Sequence, residues 1–162
     1  VYRNVILGAE IRGKVTPQIR ARAEQLLEQY GLERFSRSRP SELSGGMRQR
    51  AALIRTLLLD PELLLLDEPF SALDYQTRLT VSDDIGQIIR RSGKTALLVT
   101  HDLSEAVSLS DRVIILSKRP ASIVRIVPVR FSLENDTPLN RRNAPEFKTY
   151  FNEIWKELNR DE

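Results

Sequence analysis

The sequence predicts an α/β fold with parallel core strands, on three observations. The run Leu63-Leu64-Leu65-Leu66 is too short for a helix, lies between Pro61 and Pro69, and ends in Asp67-Glu68. A second apolar run, Ala96 to Val99, lies between Thr95 and Thr100 after a stretch of helical spacing. Neither run alternates polar with apolar, so both read as strands buried on both faces, the habit of parallel sheets. The third observation is a helical stripe, Leu43, Met47, Ala51, Ile54 and Leu58, at spacings of four, four, three and four.

Composition sets the bounds. A chain of 162 residues, 41% hydrophobic and 29% charged, can form one globular domain with a core, and it shows no repeat or low-complexity tract. Lysine and arginine outnumber the acids only by 25 to 22, too little to argue for nucleic acid as a partner. With no cysteine, disulfides and thiolate chemistry are excluded. No run approaches the roughly 20 apolar residues of a membrane span, and the expectation is of no signal peptide before the first helix and of membrane association through a partner.

In chain order, Val1 to Lys14 is short and mixed, with a break at Gly13. Thr16-Pro17 starts a helix, a capping residue followed by proline at the first helical position. Ile19, Ala23, Leu26 and Tyr30 form its buried stripe, and Gly31 ends it in a left-handed conformation. Ser36 to Arg39 is a solvated basic loop. Pro40 restricts the approach to the helix capped by Ser44, which stops at Asp60-Pro61. After the Leu63 strand, Ser71 with Asp74 reads as the start of a helix carrying Leu79, Ile85, Ile88 and Ile89 and ending near Gly93. Asp102 with Glu105 makes a capping-box-like start for the helix through Val107 and Leu109. Arg112 to Leu116 and Ile123 to Val129 are further strands, able to pair as an edge hairpin with apolar residues on both faces. Leu133 to Asn143 reads as a polar linker. Pro145 opens a last helix with Phe147, Phe151, Ile154 and Leu158 on one face, beside Tyr150 and Trp155.

Two places carry chemistry. Ser44-Gly45-Gly46 gives a helix a glycine-lined N-terminus, where unpaired N–H groups and about half a positive charge suit a phosphate. Taken alone, those residues equally describe a capped core helix. Asp67-Glu68 places two acids at the carboxyl end of a core strand, the end where open α/β sheets bind ligands.

In order along the chain come Leu43-Ser44-Gly45-Gly46-Met47-Arg48-Gln49-Arg50, Leu63 to Pro69, Ser71-Ala72-Leu73-Asp74 and Thr100-His101-Asp102. Together they resemble the nucleotide-binding subunits of ABC transporters. The end of the last helix, Glu153 to Leu158, with Lys118-Arg119-Pro120, resembles the branch serving nitrate, sulfonate or taurine import. The resemblance implies a partial P-loop NTPase domain with a helical subdomain carrying the signature motif (1–60), the C-terminal part of a RecA-like core (61–132), and a linker with a C-terminal helix (133–162). It implies ATP and Mg²⁺ as cofactors. Asp67 would hold the metal, Glu68 would polarise the attacking water, and His101, the sole histidine, would contact the terminal phosphate. Ser44, Gly45, Gly46 and Gln49 would face phosphates bound on a second ATP-binding subunit, and Asp74 would act across that dimer interface. Transmembrane permease subunits, and indirectly a substrate-binding protein, are the remaining implied partners, placing the chain on the cytoplasmic face of the cell membrane.

No G-x-x-x-x-G-K-[ST] phosphate loop occurs in the sequence; Gly93-Lys94-Thr95 supplies only the last three letters and leads into a strand. The expectation is therefore either a fragment of an ATPase subunit or an inactive module that pairs with a complete one, and in both cases a chain without activity alone. A DNA-repair ATPase of the same family is disfavoured because no coiled-coil heptads interrupt the chain.

Overall fold

The computed structural model describes residues 1–159, which form two compact units. The first comprises Val1–Leu65 with Phe70–Leu97, and the second Leu66–Pro69 with the chain from Leu98 onward.

The first unit is mainly helical. Helix α1 (Tyr2–Ile11) occupies the opening stretch, which carries no cap signal in the sequence, and buries Val5, Ile6 and Ala9. Gly13 ends that region at φ +64°. Helix α2 (Pro17–Gln29) starts where Thr16-Pro17 predicts, with Thr16 Oγ1 accepting the Ile19 N–H at 3.3 Å. Ala23, Leu26 and Tyr30 are buried, Ile19 is half-buried, and Gly31 turns the chain at φ +70°. Helix α3 (Gly45–Leu57) packs on α1 and on α4 (Tyr75–Ser92). Its stripe is buried at Leu43, Ala51, Ile54 and Leu58 and half-buried at Met47. Helix α4 begins later than Ser71 suggests: Asp74 is its N-cap, and Ser71 to Leu73 form the preceding turn. The reason is local, because the Asp74 carboxylate accepts the Thr77 N–H at 3.0 Å, while Leu73 N–H bonds back to Phe70.

Strands β1 (Leu63–Asp67) and β2 (Thr95–Val99) pair with each other, joined by the α4 crossover that parallel neighbours require. They are not buried on both faces. Leu64 is fully buried, whereas Leu65 is 70% and Val99 54% exposed. An apolar run shows that a strand can be covered on two sides, but among the described residues this sheet has only two strands and its outer positions stay open.

In the second unit, β3 (Arg112–Leu116) and β4 (Ile123–Pro128) form the expected antiparallel hairpin, with a register shift between Ile115 and Leu116. Val107 of α5 (Leu103–Leu109), Ile115, Val127, Val129 and Ile154 make its core, with Phe131, Phe147 and Tyr150 packed around them. Helix α7 (Pro145–Leu158) thus packs on its own unit through Ile154, with Phe147 and Tyr150 beside it, whereas Leu158 at the end of the expected face and Trp155 are exposed. Arg125 on β4 pairs with Glu153 and Glu157 of α7, which accounts for a charged side chain on the hairpin's core-side face.

The segment from Leu133 to Asn143 is not simply a linker. Thr137-Pro138 starts a short helix, α6 (Pro138–Asn143), and Arg141 on it is 3% exposed. Arg141 binds both carboxylate oxygens of Asp136, reaches Asp111 at 3.6 Å, donates to the Ser110 carbonyl at 2.8 Å, and lies over the Phe131 ring. A buried guanidinium needs this many partners, and satisfying it orders what composition alone presents as a polar connection.

Candidate functional site

The two acids at the end of β1 have different surroundings. Asp67 is the last strand residue and is exposed. Glu68 follows with φ +46°, a left-handed backbone that costs a branched-off side chain about 1–2 kcal/mol and that favours functional sites when found in a non-glycine residue. Its N–H continues the pairing with β2 by donating to the Val99 carbonyl at 2.9 Å. That bond fixes the reversed turn and carries the Glu68 carboxylate to the residues beyond β2.

There it meets His101. One carboxylate oxygen of Glu68, Oε1, accepts the His101 backbone N–H at 3.0 Å and contacts ring Nδ1 at 2.7 Å. An ionised carboxylate only accepts, so the proton in the ring contact belongs to Nδ1. The neutral ring therefore has a bare Nε2, and only the imidazolium can donate from Nε2. The hydrogen bond from Glu68, and next its charge, raise the pKa of the exposed His101 above the usual histidine range, with Asp102 and Glu105 adding to the effect. The pair thus favours the ring form that can offer a proton to an acceptor outside.

The His101 turn is held by α5. Asp102 Oδ1 accepts the Ser104 and Glu105 N–H groups at 2.7 and 3.2 Å, the cap that the Asp102–Glu105 spacing predicts. The Glu105 side chain does not close a box on the Asp102 amide directly. It accepts the Thr100 hydroxyl at 2.7 Å, and the Thr100 oxygen accepts the Asp102 N–H at 3.0 Å.

The signature residues lie in the first unit. Ser44 Oγ accepts the Met47 N–H at 3.2 Å, so one amide of the α3 start is satisfied by its own cap, while the hydroxyl proton can still be donated outward. Gly45 and Gly46 answer first to packing. A Cβ on Gly45 would lie 3.0 Å from Leu73 Cδ2, and one on Gly46 2.7 Å from Val81 Cγ2. The α3 start is therefore pressed against α4 and the turn leading to it, which puts Gly45 beside Leu73, the neighbour of Asp74. Gln49 is half-buried one turn further along. Asp74 is exposed, and hydrogen bonds from Thr77 hold its carboxyl below the usual carboxylate range. The structure thus brings Glu68 and His101 into contact in one unit, with Asp67 adjacent in sequence, and groups Ser44, Gly45, Gly46 and Asp74 in the other. The sequence reading gave Thr100 and Glu105 no role in holding His101; the one available signal was an acid three residues after a capping aspartate.

Residues 1–71, spanning Ser44 to Gln49 and Asp67-Glu68, match the family model described as ABC transporter. The ABC transporter ATP-binding protein YtlC of Bacillus subtilis, itself uncharacterized, is 46% identical over 159 residues, covering 98% of this chain and 61% of that protein. Over nearly its whole length the chain is thus similar to ABC transporter ATP-binding proteins. The nitrate import ATP-binding protein NrtD of Synechocystis is 40% identical over 158 residues, covering 95% of this chain and 59% of that one. The chain spans about six-tenths of the length of these curated relatives. An ABC transporter of metal-chelate type, solved in an inward-facing conformation, superposes with a TM-score of 0.64 at 23% identity over 78% of this chain and 51% of its own. That likeness establishes the ABC ATPase fold of the α/β core and its helices.

Proposed function

We propose that this chain supplies the water-polarising and phosphate-contacting side of the ATP site in an ABC importer subunit. The observation that carries the reading is the Glu68–His101 contact, built on a left-handed residue at the end of a core strand. A carboxylate has lone pairs for more than two donors, so Glu68 can accept a hydrogen bond from the attacking water while keeping His101. His101, with Nδ1–H committed to Glu68, offers Nε2–H to a terminal phosphate oxygen as the imidazolium, stabilising the charge that develops there.

Asp67 is the residue proposed to hold Mg²⁺, which would supply charge neutralisation at the phosphates. A single exposed carboxylate suits that ion, which keeps several waters and takes one or two carboxylates together with phosphate oxygens. Among the described residues no cluster of three acids or histidines offers a fuller cage.

Ser44, Gly45, Gly46 and Gln49 are proposed to meet the phosphates of ATP bound on a second ATP-binding subunit, with Asp74 at the same interface. The partially satisfied α3 start supports this, since the Ser44 hydroxyl and the first-turn amides are donors. Permease subunits, and through them a substrate-binding protein, complete the proposed assembly at the cytoplasmic face of the membrane. No helix among the described residues is long and apolar enough to cross a membrane. The nitrate-importing relative supports nitrate, or an oxyanion of similar kind, as cargo.

The test is Glu68→Gln in the full polypeptide that carries this sequence. ATP hydrolysis should fall by about 100-fold or more while ATP binding is retained. Hydrolysis at the unmodified rate would refute the role of Glu68, and no hydrolysis in either protein would favour an inactive module that pairs with a complete subunit.

A further inference from the structure

Glu105 is 2% exposed, one of few charged side chains buried in the second unit. Burying a carboxylate is costly unless it is hydrogen-bonded, and this one accepts the Thr100 hydroxyl at 2.7 Å. The Thr100 oxygen in turn accepts the Asp102 N–H at 3.0 Å. In an ordinary capping box the third-residue glutamate reaches back to the N-cap amide itself. Here a hydroxyl is interposed, and the residues it ties together, 100 and 102, flank His101.

We propose that Glu105, acting through the Thr100 hydroxyl, is a positioning residue that holds His101 against Glu68. The inference rests on the functional reading of that pair. The Thr100 hydroxyl is both a donor to Glu105 and an acceptor from Asp102, which ties the two residues flanking His101 to the buried carboxylate. The His101 N–H and Nδ1 both fall on a single oxygen of Glu68. The exposed imidazole makes few packing contacts that would fix it otherwise. Its 79% exposure leaves the backbone turn to aim it. The Asp102 side chain caps α5 by accepting the Ser104 and Glu105 N–H groups, a task distinct from the Glu105–Thr100 bond.

Reach and charge can be separated. Glu105→Asp keeps the charge but shortens the side chain by one methylene, enough to break a 2.7 Å bond. Glu105→Gln removes the charge but keeps an oxygen for the hydroxyl. Two readouts apply, in the full polypeptide with labelled histidine. The first is the ring tautomer of neutral His101 by ¹⁵N NMR, identified by loss of the signal in His101→Gln. The second is the split between kcat and KM for ATP hydrolysis.

The unmodified protein and Glu105→Gln should show the Nδ1–H form. Glu105→Asp and Thr100→Val should shift toward Nε2–H, with kcat down roughly 10- to 100-fold and KM little changed. Thr100→Ser should restore the Nδ1–H form. The proposal is overturned if Glu105→Asp keeps the Nδ1–H form, or if Glu105→Gln loses it equally. Because the tautomer is read without turnover, such a result leaves the ATPase reading standing. An Nδ1–H signal that responds as described in a protein whose hydrolysis ignores Glu68→Gln would instead uphold the positioning and sink the catalytic reading.

Discussion

Replacing Gly46 by alanine tests how the α3 start is built. The added Cβ would meet Val81 Cγ2 at 2.7 Å, about 1 Å inside ordinary carbon contact. Val81 is 4% exposed and fixed in χ1 by its branching, so it cannot swing away freely. Overpacking of this kind costs about 1–3 kcal/mol, and the better helix propensity of alanine offsets at most about 1 kcal/mol. Gly46→Ala should therefore destabilise by about 1 kcal/mol net in urea unfolding, with the m-value unchanged. Val81→Ala should cost about 1.5–2.5 kcal/mol by removing buried methyl groups. In the Val81→Ala background the same glycine substitution should be neutral or stabilising, giving a coupling of at least about 1 kcal/mol. If Gly46→Ala stabilises the unmodified protein, or costs the same in both backgrounds, the glycine is not there for Val81. Its absent side chain would then have to be explained by what approaches from outside.

Two further outcomes follow from the structure. His101 has a raised pKa in the folded state, so the stability it contributes is complete below the ordinary histidine range and is lost as pH rises through the raised value. NMR titration of His101 should place its midpoint above about 6.5, and Glu68→Gln should bring it back down; an unchanged midpoint would mean that the contact does not persist in solution. Arg141→Ala should cost about 1.5–3 kcal/mol in denaturant unfolding by removing the buried guanidinium's hydrogen bonds to Asp136 and the Ser110 carbonyl, with Arg141→Lys in between because an ammonium cannot reproduce the fork. A loss under about 0.5 kcal/mol would show that α6 does not depend on it.

What the sequence made legible was local. Thr16, Ser44 and Asp102 each declare a helix start, because a capping side chain bonds to an amide two or three residues on and needs no distant partner. Gly31 and Gly93 declare stops for the same reason, their left-handed φ being their own property. Helix α1 carries no such cap signal, and α6 lies in a segment whose arginines and asparagines read as solvent-facing until Arg141 finds Asp136, Asp111 and Ser110. The β1 run showed that its leucines can be buried but not whether anything covers them, and Leu65 lies open. At the site, motif order named Glu68 and His101 as functional residues. Their contact spans 33 positions and depends on the β1–β2 pairing, which no local pattern encodes.

The most direct measurement is a kinetic cycle on ATP hydrolysis by the full polypeptide, with Glu68→Gln, His101→Ala and both together. If one oxygen of Glu68 and the ring of His101 act as a unit, each single change should lower kcat by about 100-fold or more and the double should be little worse than the more severe single. Losses that multiply, or a His101→Ala protein that turns over normally, would contradict the account.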